Sequence, residues 1–339
     1  MGRLLAVLVA LPFLAGGVTA AVSADRGQVV LTFADPAVVE SSGLVALDDL
    51  VVTVNDSGDS GRVFAVGPEG RTVGVTTFSE SPTDVEALAP AGPLGPGSPG
   101  EVWVGDIGDN AAARSSISVT RVPVGRGDRS GSYPTFELVY ADGPRDAETL
   151  LVDPTTGRLH VVSKGIFGGT LYAAPQRLSA DRPNVLRPVA DALAVATDGA
   201  FWPDGRHLVV RGYGRAVVYA WPSMTAVADL DLPDQDQGEG IAVTADGRVL
   251  VSTEGQFTDV LEVPLPHDVR AAVAPSAPER EAPTSTEDEP VPNECEPDGQ
   301  QGCQTGSGEL YVLPLWLLLG GGAGVVVLLG LVAWAVRRR

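Results

Sequence analysis

A strand-like run that ends in an acidic loop occurs twice in this sequence, about fifty residues apart. The first copy is LVVTVNDSGDS at 50–60 and the second is EVWVGDIGDN at 101–110. When the two loops are aligned, their acids and glycines coincide: Asp56, Gly58 and Asp59 with Asp106, Gly108 and Asp109. A repeat of a strand together with its loop is typical of repeat architectures, so we expect the chain to be built from several similar units.

Four strands are predicted in each unit. The first strand of each unit starts at a polar residue that small and apolar residues follow, and these starts lie at Ser42, Glu86, Glu148, Asp198 and Glu239. The fifth unit has no fourth run of its own, but QVVLTF at 28–33 supplies one. The predicted fold is therefore all-β, a five-bladed β-propeller closed by an N-terminal strand. Six blades are the alternative, because the long 87–149 interval has room for a degenerate unit.

Both ends of the chain are predicted to lie outside the propeller domain, which spans 25–267. Residues 1–24 have the basic, apolar and small-residue pattern of a secretory signal peptide. Residues 268–309 are rich in Pro, Glu, Ser and Thr and predict a disordered stalk. Residues 310–336 are uncharged and long enough for a transmembrane helix, and the arginines 337–339 predict a cytoplasmic tail. We therefore expect a single-pass protein of the cell membrane with its propeller on the extracytoplasmic side.

Charge and cysteine content narrow the range of partners. The formal net charge of −20 argues against nucleic acid and against an anionic lipid surface, and it is compatible with cations. Cys295 and Cys303 are the only cysteines, and in an exported chain they are expected to form a disulfide that closes a small loop. The expected partners are the membrane, through the C-terminal helix, and a small ligand or cell-envelope protein.

A ring of polar residues is predicted at one mouth of the channel. The first two strands of a unit are antiparallel neighbours, so the start of the first lies beside the end of the second. Hard divalent cations, calcium first, prefer carboxylate and amide oxygens. The residues that offer such oxygens here are Asn55, Asp56, Asp59, Glu86, Asp106, Asp109, Asn110, Glu148 and Glu239. Lys164, Arg211 and Glu254 are predicted at the same mouth as ligand-binding residues.

A structural role is the alternative for these polar residues. Asp and Asn side chains that follow a strand often accept hydrogen bonds from loop amides. Under this interpretation Glu148–Lys164 and Asp198–Arg211 are ion pairs rather than parts of a ligand site.

Several segments carry a resemblance to known proteins: ESSGL at 40–44, VNDSGD at 54–59, DVEALA at 84–89, VGDIGDN at 104–110 and DAETLLVD at 146–153. They resemble exported bacterial β-propeller proteins, many of them from high-GC actinobacteria, and the broader group of SdiA-regulated, phytase-like and NHL/SMP-30-like propellers. The resemblance covers about 40–264, and the two acidic loops are its most specific parts. It implies a propeller and an extracytoplasmic address, but little about activity.

Three functions are compatible with these observations. The first is a ligand- or protein-binding module on a stalk, dependent on calcium. The second is a metal-dependent hydrolase of the lactonase or phosphoesterase kind, with Glu86, Glu148 or Glu239 as metal ligand or base. A phytase-like activity would need a strongly basic phosphate pocket, and only Lys164 and Arg211 are available for one. The third is a structural protein of the cell envelope that binds no small ligand.

Overall fold

The computed structural model describes residues 27–79, 81–92 and 100–274 of the 339-residue chain. These residues form strands and one short helix, so the prediction of an all-β fold is confirmed. No helix in this described part is long and apolar enough to cross a membrane. The segments predicted as signal peptide (1–24), transmembrane helix (310–336) and cytoplasmic tail (337–339), and the predicted Cys295–Cys303 disulfide, lie outside the described residues.

The strands group into five antiparallel units of four. Unit 1 contains β2 (Ser41–Leu47), β3 (Leu50–Asn55), β4 (Arg62–Val66) and β5 (Thr72–Thr77). Unit 2 contains β6 (Val85–Pro90), β7 (Gly100–Asp106), β8 (Ile117–Val124) and β10 (Thr135–Tyr140). Unit 3 contains β11 (Ala147–Val152), β12 (Leu159–Ser163), β13 (Gly169–Ala173) and β14 (Asn184–Ala192). The two-residue strand β9 (Arg129–Ser130) pairs with β5, and β10 pairs in parallel with β14.

The last two units follow the same order. Unit 4 contains β15 (Asp198–Phe201), β16 (His207–Arg211), β17 (Arg215–Ala220) and β18 (Thr225–Asp231). Unit 5 contains β19 (Gly238–Val243), β20 (Val249–Thr253), β21 (Asp259–Val263) and, as its outermost strand, β1 (Gln28–Thr32). The predicted pairing of residues 28–33 with the end of the fifth unit is confirmed, since Gln28 lies opposite Glu262 and Thr32 opposite Asp259. This pairing covers the edge of β21 that the chain would otherwise leave open.

The first strands of the units contact one another in a closed cycle that runs through β2, β6, β11, β15 and β19. Five hydrophobic clusters fill the spaces between successive sheets, one for each pair of neighbouring units. Both faces of a sheet are therefore covered, and β3 and β12 are buried along their whole length. This burial explains why β3 and β12 have apolar residues on both faces instead of on one face only. Among the described residues, the 87–149 interval contains no sixth four-stranded unit.

Small residues near the axis allow the inner strands to approach closely. A Cβ atom on Gly43 would lie 2.5 Å from the backbone nitrogen of Leu88 in the next unit. A Cβ atom on Gly240 would lie 2.9 Å from Leu44 Cβ. The small residue that follows the polar start of these strands is therefore required by packing at the axis.

A carboxylate also joins inner strands of different units. Asp198 Oδ2 accepts the backbone N–H groups of Ile241 at 2.8 Å and of Leu44 at 3.3 Å, and Asp198 Oδ1 accepts that of Gly199 at 2.8 Å. The side chain thus connects units 4, 5 and 1. No direct ion pair joins Asp198 to Arg211 among the described residues, although the two are paired across the strands. The expected Asp198–Arg211 ion pair is replaced by these amide contacts.

Ordered structure continues past the expected end of the domain at residue 267. The helix α1 (His267–Val273) follows β21, and Val269 is buried against a cluster that includes Trp202 and Leu230. The segment predicted as a disordered stalk, 268–309, therefore begins with residues that pack on the fold. The rest of that segment, from residue 275, lies outside the described residues.

We expect Phe33→Ala to lower the free energy of unfolding by about 3–5 kcal/mol. Phe33 directly follows β1, and its phenyl side chain is fully buried between units 5 and 1. The matched control is Val30→Ala on the exposed side of β1, which should lower it by less than about 1 kcal/mol. Urea unfolding of the full chain, followed by tryptophan fluorescence, measures both. Equal effects from the two substitutions would mean that β1 does not belong to the packed core.

Candidate functional site

Four of the five inner strands contain an irregularity at the polar residue near their start. The pairing register shifts around Ser42, Glu86, Glu148 and Glu239. Such a β-bulge adds an unpaired residue to the strand and changes the direction of its side chain. The remaining inner strand, β15 of unit 4, pairs regularly at Asp198, and the carboxylate of Asp198 reaches the neighbouring inner strands. The same position of the repeat therefore has two different orientations.

The three glutamates in these bulges are buried and interact with one another. Burial, and next the negative charge of Glu148, raise the pKa of Glu86 to about 10. Burial and the charge of Glu239 raise the pKa of Glu148 to about 8, against the opposing effect of Lys164. Burial raises the pKa of Glu239 to about 7. The glutamates that the sequence predicted at one mouth thus lie close enough for mutual repulsion.

Two of these glutamates have a carboxylate oxygen without a partner. Glu148 Oε1 forms an ion pair with Lys164 Nζ, and Glu239 Oε1 accepts a hydrogen bond from Gln237 Nε2 at 3.4 Å. The Oε2 atom of each glutamate is buried and has no hydrogen-bond partner among the described residues. Leaving a buried acceptor unsatisfied costs about 1–3 kcal/mol. These oxygens are therefore acceptors that a ligand with a positive charge or an N–H group would satisfy.

Three acids of the described residues converge at the mouth: Asp56, Asp84 and Glu86, called here the acidic triad. One carboxylate oxygen of each residue lies within 4.8 Å of the others. Burial and the charges of Asp56 and Asp146 raise the pKa of Asp84 to about 6. Glu86 accepts a hydrogen bond from Ser42 Oγ at 3.2 Å. Converging carboxylate oxygens of this kind suit a hard divalent cation such as calcium.

The sheet register corrects the sequence alignment of the two acidic loops. The strand pairings place Asn55, and not Asp56, at the position equivalent to Asp106. In unit 1, Leu44 of the inner strand lies opposite Thr53, and Asn55 follows two residues later. In unit 2, Leu88 lies opposite Val104, and Asp106 follows two residues later. Matching the letters of the two loops was wrong by one residue, since the pairing of the strands, and not the spacing of the acids, sets the correspondence.

Asn55 and Asp106 share one structural role. Asn55 Oδ1 accepts the backbone N–H groups of Val39 and Glu40 at 2.9 and 3.2 Å. The Asp106 carboxylate accepts the two equivalent N–H groups of unit 2 at 2.9 and 3.0 Å, and it also forms an ion pair with Arg114 at 2.8 Å. Both side chains hold the turn that precedes an inner strand, as the capping alternative expected. Their oxygens are already used, so neither belongs to the acidic triad.

The remaining loop acids also fix local structure. Asp59 Oδ1 lies 2.6 Å from the guanidinium of Arg62. The Asp109 carboxylate accepts the backbone N–H groups of Ala113 and Arg114 at 2.9 and 2.8 Å. Asn110 is exposed in the same loop. Of the oxygen donors predicted for a metal, the structure therefore brings Asp56 and Glu86 together and places Glu148 and Glu239 beside them.

The three predicted ligand-binding residues have different environments. Lys164 lies at the mouth, with Nζ 5.3 Å from the ring centroid of Tyr213. Glu254 is partly exposed at the entrance, and its Oε1 accepts a hydrogen bond from Gln237 Nε2 at 2.6 Å. Arg211 differs from the expectation, because it is fully buried. Its guanidinium donates hydrogen bonds to the side-chain oxygen Oε1 of Gln235 and to four main-chain carbonyls, those of Gly212, Tyr213, Gly240 and Ser252.

Asp84 is the member of the triad that the sequence analysis did not select. The signal is present in the sequence as an acid two residues before the inner-strand glutamate, in Asp84-Val85-Glu86 and again in Asp146-Ala147-Glu148. In a regular strand Asp84 and Glu86, two residues apart, would lie on the same face. Here the strand has a bulge at Glu86, so the sequence spacing alone does not show that both side chains lie at the mouth. Asp146 has a structural contact as well, since its Oδ1 accepts the N–H group of Asp109 at 2.9 Å.

A separate cavity of about 260 Å³ lies between units 3 and 4, toward the other end of the strands, and His160 and Trp221 contribute to its lining. Their rings meet edge to face with centroids 5.0 Å apart. Burial lowers the pKa of His160 to about 4, so this imidazole is neutral at pH 7. The two rings pack against each other, as expected for side chains between adjacent sheets.

No protein-family model matches this chain, and neither does any curated protein. The functional assignment therefore depends on the chemistry of the acidic mouth, which consists of the acidic triad together with Glu148, Glu239 and Glu254.

We expect the metal-free chain to lose stability as the pH rises from about 4.5 to about 7. The pKa of Glu239 is about 7 in the folded state and has an ordinary value of 4.5, so the folded state binds the proton more tightly between these values. The free energy of unfolding must then fall as the pH rises through this window. Urea unfolding at several pH values, with a chelator present, measures the slope.

The variant Glu239→Gln cannot ionise and should show a shallower slope than the natural chain. The matched control is Glu137→Gln, on the exposed side of β10, which should keep the original slope. Identical slopes in Glu239→Gln and in the control would contradict the assignment of a raised pKa to Glu239.

Proposed function

We propose that the five units are the blades of a five-bladed β-propeller, and that the chain is a binding module whose acidic mouth takes a divalent cation, calcium first. The observation that carries this proposal is the convergence of Asp56, Asp84 and Glu86 within 4.8 Å, next to buried glutamate oxygens without partners. The proposal includes the address that the sequence indicates, a single membrane span at 310–336 with the propeller on the extracytoplasmic side.

The distribution of positive charge supports a cation at the triad. The basic side chains beside the acids of the mouth form ion pairs outside the triad: Lys164 with Glu148, Arg114 with Asp106 and Arg62 with Asp59. No member of the triad forms an ion pair within the described residues. The triad carboxylates therefore repel one another, and this repulsion contributes to the raised pKa values of Asp84 and Glu86, although the charge of Arg114 partly opposes it at Asp84. A bound divalent cation would remove it.

A metal-dependent hydrolase of the lactonase or phosphoesterase kind is the second candidate. It is favoured by Glu239, because its raised pKa of about 7 suits a group that exchanges protons near neutral pH. In such an enzyme the cation would polarise the substrate oxygen and Glu239 would accept a proton from water. Turnover of a lactone, an aryl ester or a phosphate ester that calcium supports and Glu239→Gln abolishes would select this candidate over a binding module.

Calcium should raise the thermal midpoint of the full chain purified in detergent. Binding to the folded state alone stabilises it by about 2.7 kcal/mol when calcium is at 100 times its Kd. Asp84→Asn removes one of three charged ligands, so the calcium concentration needed for a given rise should increase at least tenfold. Glu137→Gln should behave like the natural chain. No rise at millimolar calcium, or an equal rise in Asp84→Asn, would refute the cation site.

Calcium affinity should also increase between pH 6 and pH 8. The carboxyl groups of Asp84 and Glu86, with pKa values of about 6 and about 10, must release protons to the solvent when they bind a cation. Titration calorimetry in two buffers with different ionisation enthalpies counts these protons. An affinity that does not change over this pH range would exclude the two carboxyl groups as ligands.

A further inference from the structure

Exposed apolar side chains border the acidic mouth on one side. They belong to the loops that follow the second strand of units 3, 4 and 5, and they form what we call the apolar rim: Ile166, Phe167, Tyr213 and Phe257. Relative exposure reaches 78 % for Ile166 and 103 % for Phe167. The second strands of these units end opposite the starts of the inner strands, so the loops that follow them lie at the mouth.

The equivalent loops of units 1 and 2 have a different character. They span 56–61 and 107–116, and their exposed residues are polar or small. Asp56 lies in the first of these loops, and Asp84 directly precedes β6. The loops that follow the second strands are therefore polar on units 1 and 2, whereas those on units 3 to 5 present exposed apolar side chains beside the glutamates of the mouth.

Two of the three loops that carry the apolar rim are hydrogen-bonded to the segments that precede inner strands. The carbonyl of Gly165, directly before Ile166, accepts the N–H group of Val195 at 3.0 Å. In the third rim loop Gly255 N donates to Val39 O at 2.8 Å, and Gln256 Nε2 donates to Pro36 O at 2.7 Å. Single exposed apolar residues need no explanation, but a series of them beside one polar site is typical of interaction surfaces.

Tyr213 connects the rim to the glutamates. Its ring lies beside the ammonium of Lys164, which in turn pairs with Glu148. The negative charges of Glu239 and Glu148 both act on the Tyr213 hydroxyl. A ligand that contacts the rim at Tyr213 is therefore next to the two glutamates whose Oε2 atoms have no partner.

We propose that the acidic mouth and the apolar rim together bind a polypeptide segment of an extracytoplasmic partner. A lysine or arginine of this segment enters the mouth toward Glu148, Glu239 and Glu254, and its aliphatic or aromatic neighbours pack on Ile166, Phe167 and Phe257. The inference rests on the proposed function, because it takes the mouth as the ligand site, and it adds the chemical class of the partner.

Charge complementarity favours this occupant over two others. A basic side chain supplies both the positive charge and the N–H donors that the glutamate oxygens lack, and its long apolar stem suits the passage between the rim and the mouth. An anionic lipid surface would be repelled by the net charge of −20. A second copy of this chain, placed face to face, would bring two acidic mouths together.

Selection from a library of random nine-residue peptides on phage, against the immobilised full chain, tests the proposal. We expect enrichment of peptides with a lysine or arginine next to an aliphatic or aromatic residue. Synthetic copies of the enriched peptides, with a fluorescent label, should bind with an affinity that falls as salt rises, because charges contribute to the contact. Absence of enrichment, or enrichment of acidic peptides, would overturn the inference.

The double variant Ile166→Ser/Phe167→Ser should weaken binding of the labelled peptides at least tenfold. Both side chains project into solvent, so its thermal midpoint should equal that of the natural chain. The matched control is Val189→Ser/Val227→Ser, which removes two exposed valines from the outer strands β14 and β18 and should leave peptide binding unchanged. Equal peptide affinities in the two double variants would overturn the role of the rim.

Two further measurements address the other occupants. Binding of a soluble short-chain zwitterionic or anionic phospholipid that the natural chain shows and Ile166→Ser/Phe167→Ser loses would assign the rim to lipid. Self-association in sedimentation velocity that the same variant abolishes would assign it to a second copy. Either result overturns the polypeptide partner.

The calcium response separates this inference from the proposed function. The triad belongs to units 1 and 2, so Ile166→Ser/Phe167→Ser should keep the calcium-dependent rise in the thermal midpoint. If the natural chain responds to calcium but selects no basic, apolar peptides, only the inference fails. If it selects such peptides but does not respond to calcium, only the proposed cation site fails.

Discussion

The buried carboxyl group of Asp198, at the axis, joins the inner strands of three of the five units. Asp198 accepts N–H groups from its own strand and from the inner strands of units 1 and 5, through Gly199, Leu44 and Ile241. Burial raises the pKa of Asp198 above its ordinary value, while the three amide donors and Arg211 favour the charged form. Unit 5 also depends on β1 for its outermost strand. The junction between the last and the first units therefore combines a polar contact at the axis with strand pairing at the outer edge.

The acidic mouth follows from the same position of the repeat. Where the inner strand is regular, at Asp198, the carboxylate is used to connect strands. Where the strand has a bulge, at Glu86, Glu148 and Glu239, the carboxylate remains at the mouth beside other acids. Collecting buried negative charge in this way opposes folding, because burial and repulsion both disfavour the ionised carboxylate. A cationic ligand would offset part of this unfavourable energy, which links the stability of the ring to what the mouth binds.

Much of the architecture could be predicted because it depends on local patterns that recur. The polar starts of the inner strands, the turns between strands and the missing fourth run of the last unit are all visible in the sequence, and together they indicate a ring closed by residues 28–33. The site was predicted less completely. The correspondence of Asn55 with Asp106 depends on strand register, and the burial of Arg211 depends on carbonyls from several separate segments. No local pattern contains either fact.

Surface exposure was the other property that the sequence did not reveal. Ile166 and Phe167 have the composition of core residues, and only their place in a loop anchored by Gly165 shows that they point to solvent. Val269 is the opposite case. The composition of residues 268–309 predicted a disordered stalk, and yet Val269 packs against Trp202. In both cases the surroundings in three dimensions, and not the residue type, decide between burial and exposure.

The position of β1 determines when this fold can be completed. Its partner β21 lies more than two hundred residues later, as the contact between Thr32 and Asp259 illustrates with a separation of 227 positions. A chain emerging from the ribosome therefore holds its first strand unpaired until nearly the whole domain has been synthesised. Contacts of such long range form slowly, and incomplete chains expose apolar sheet faces in the meantime. Truncated or stalled products should accordingly be substrates for chaperones and proteases, because no shorter piece of the ring has both of its ends covered.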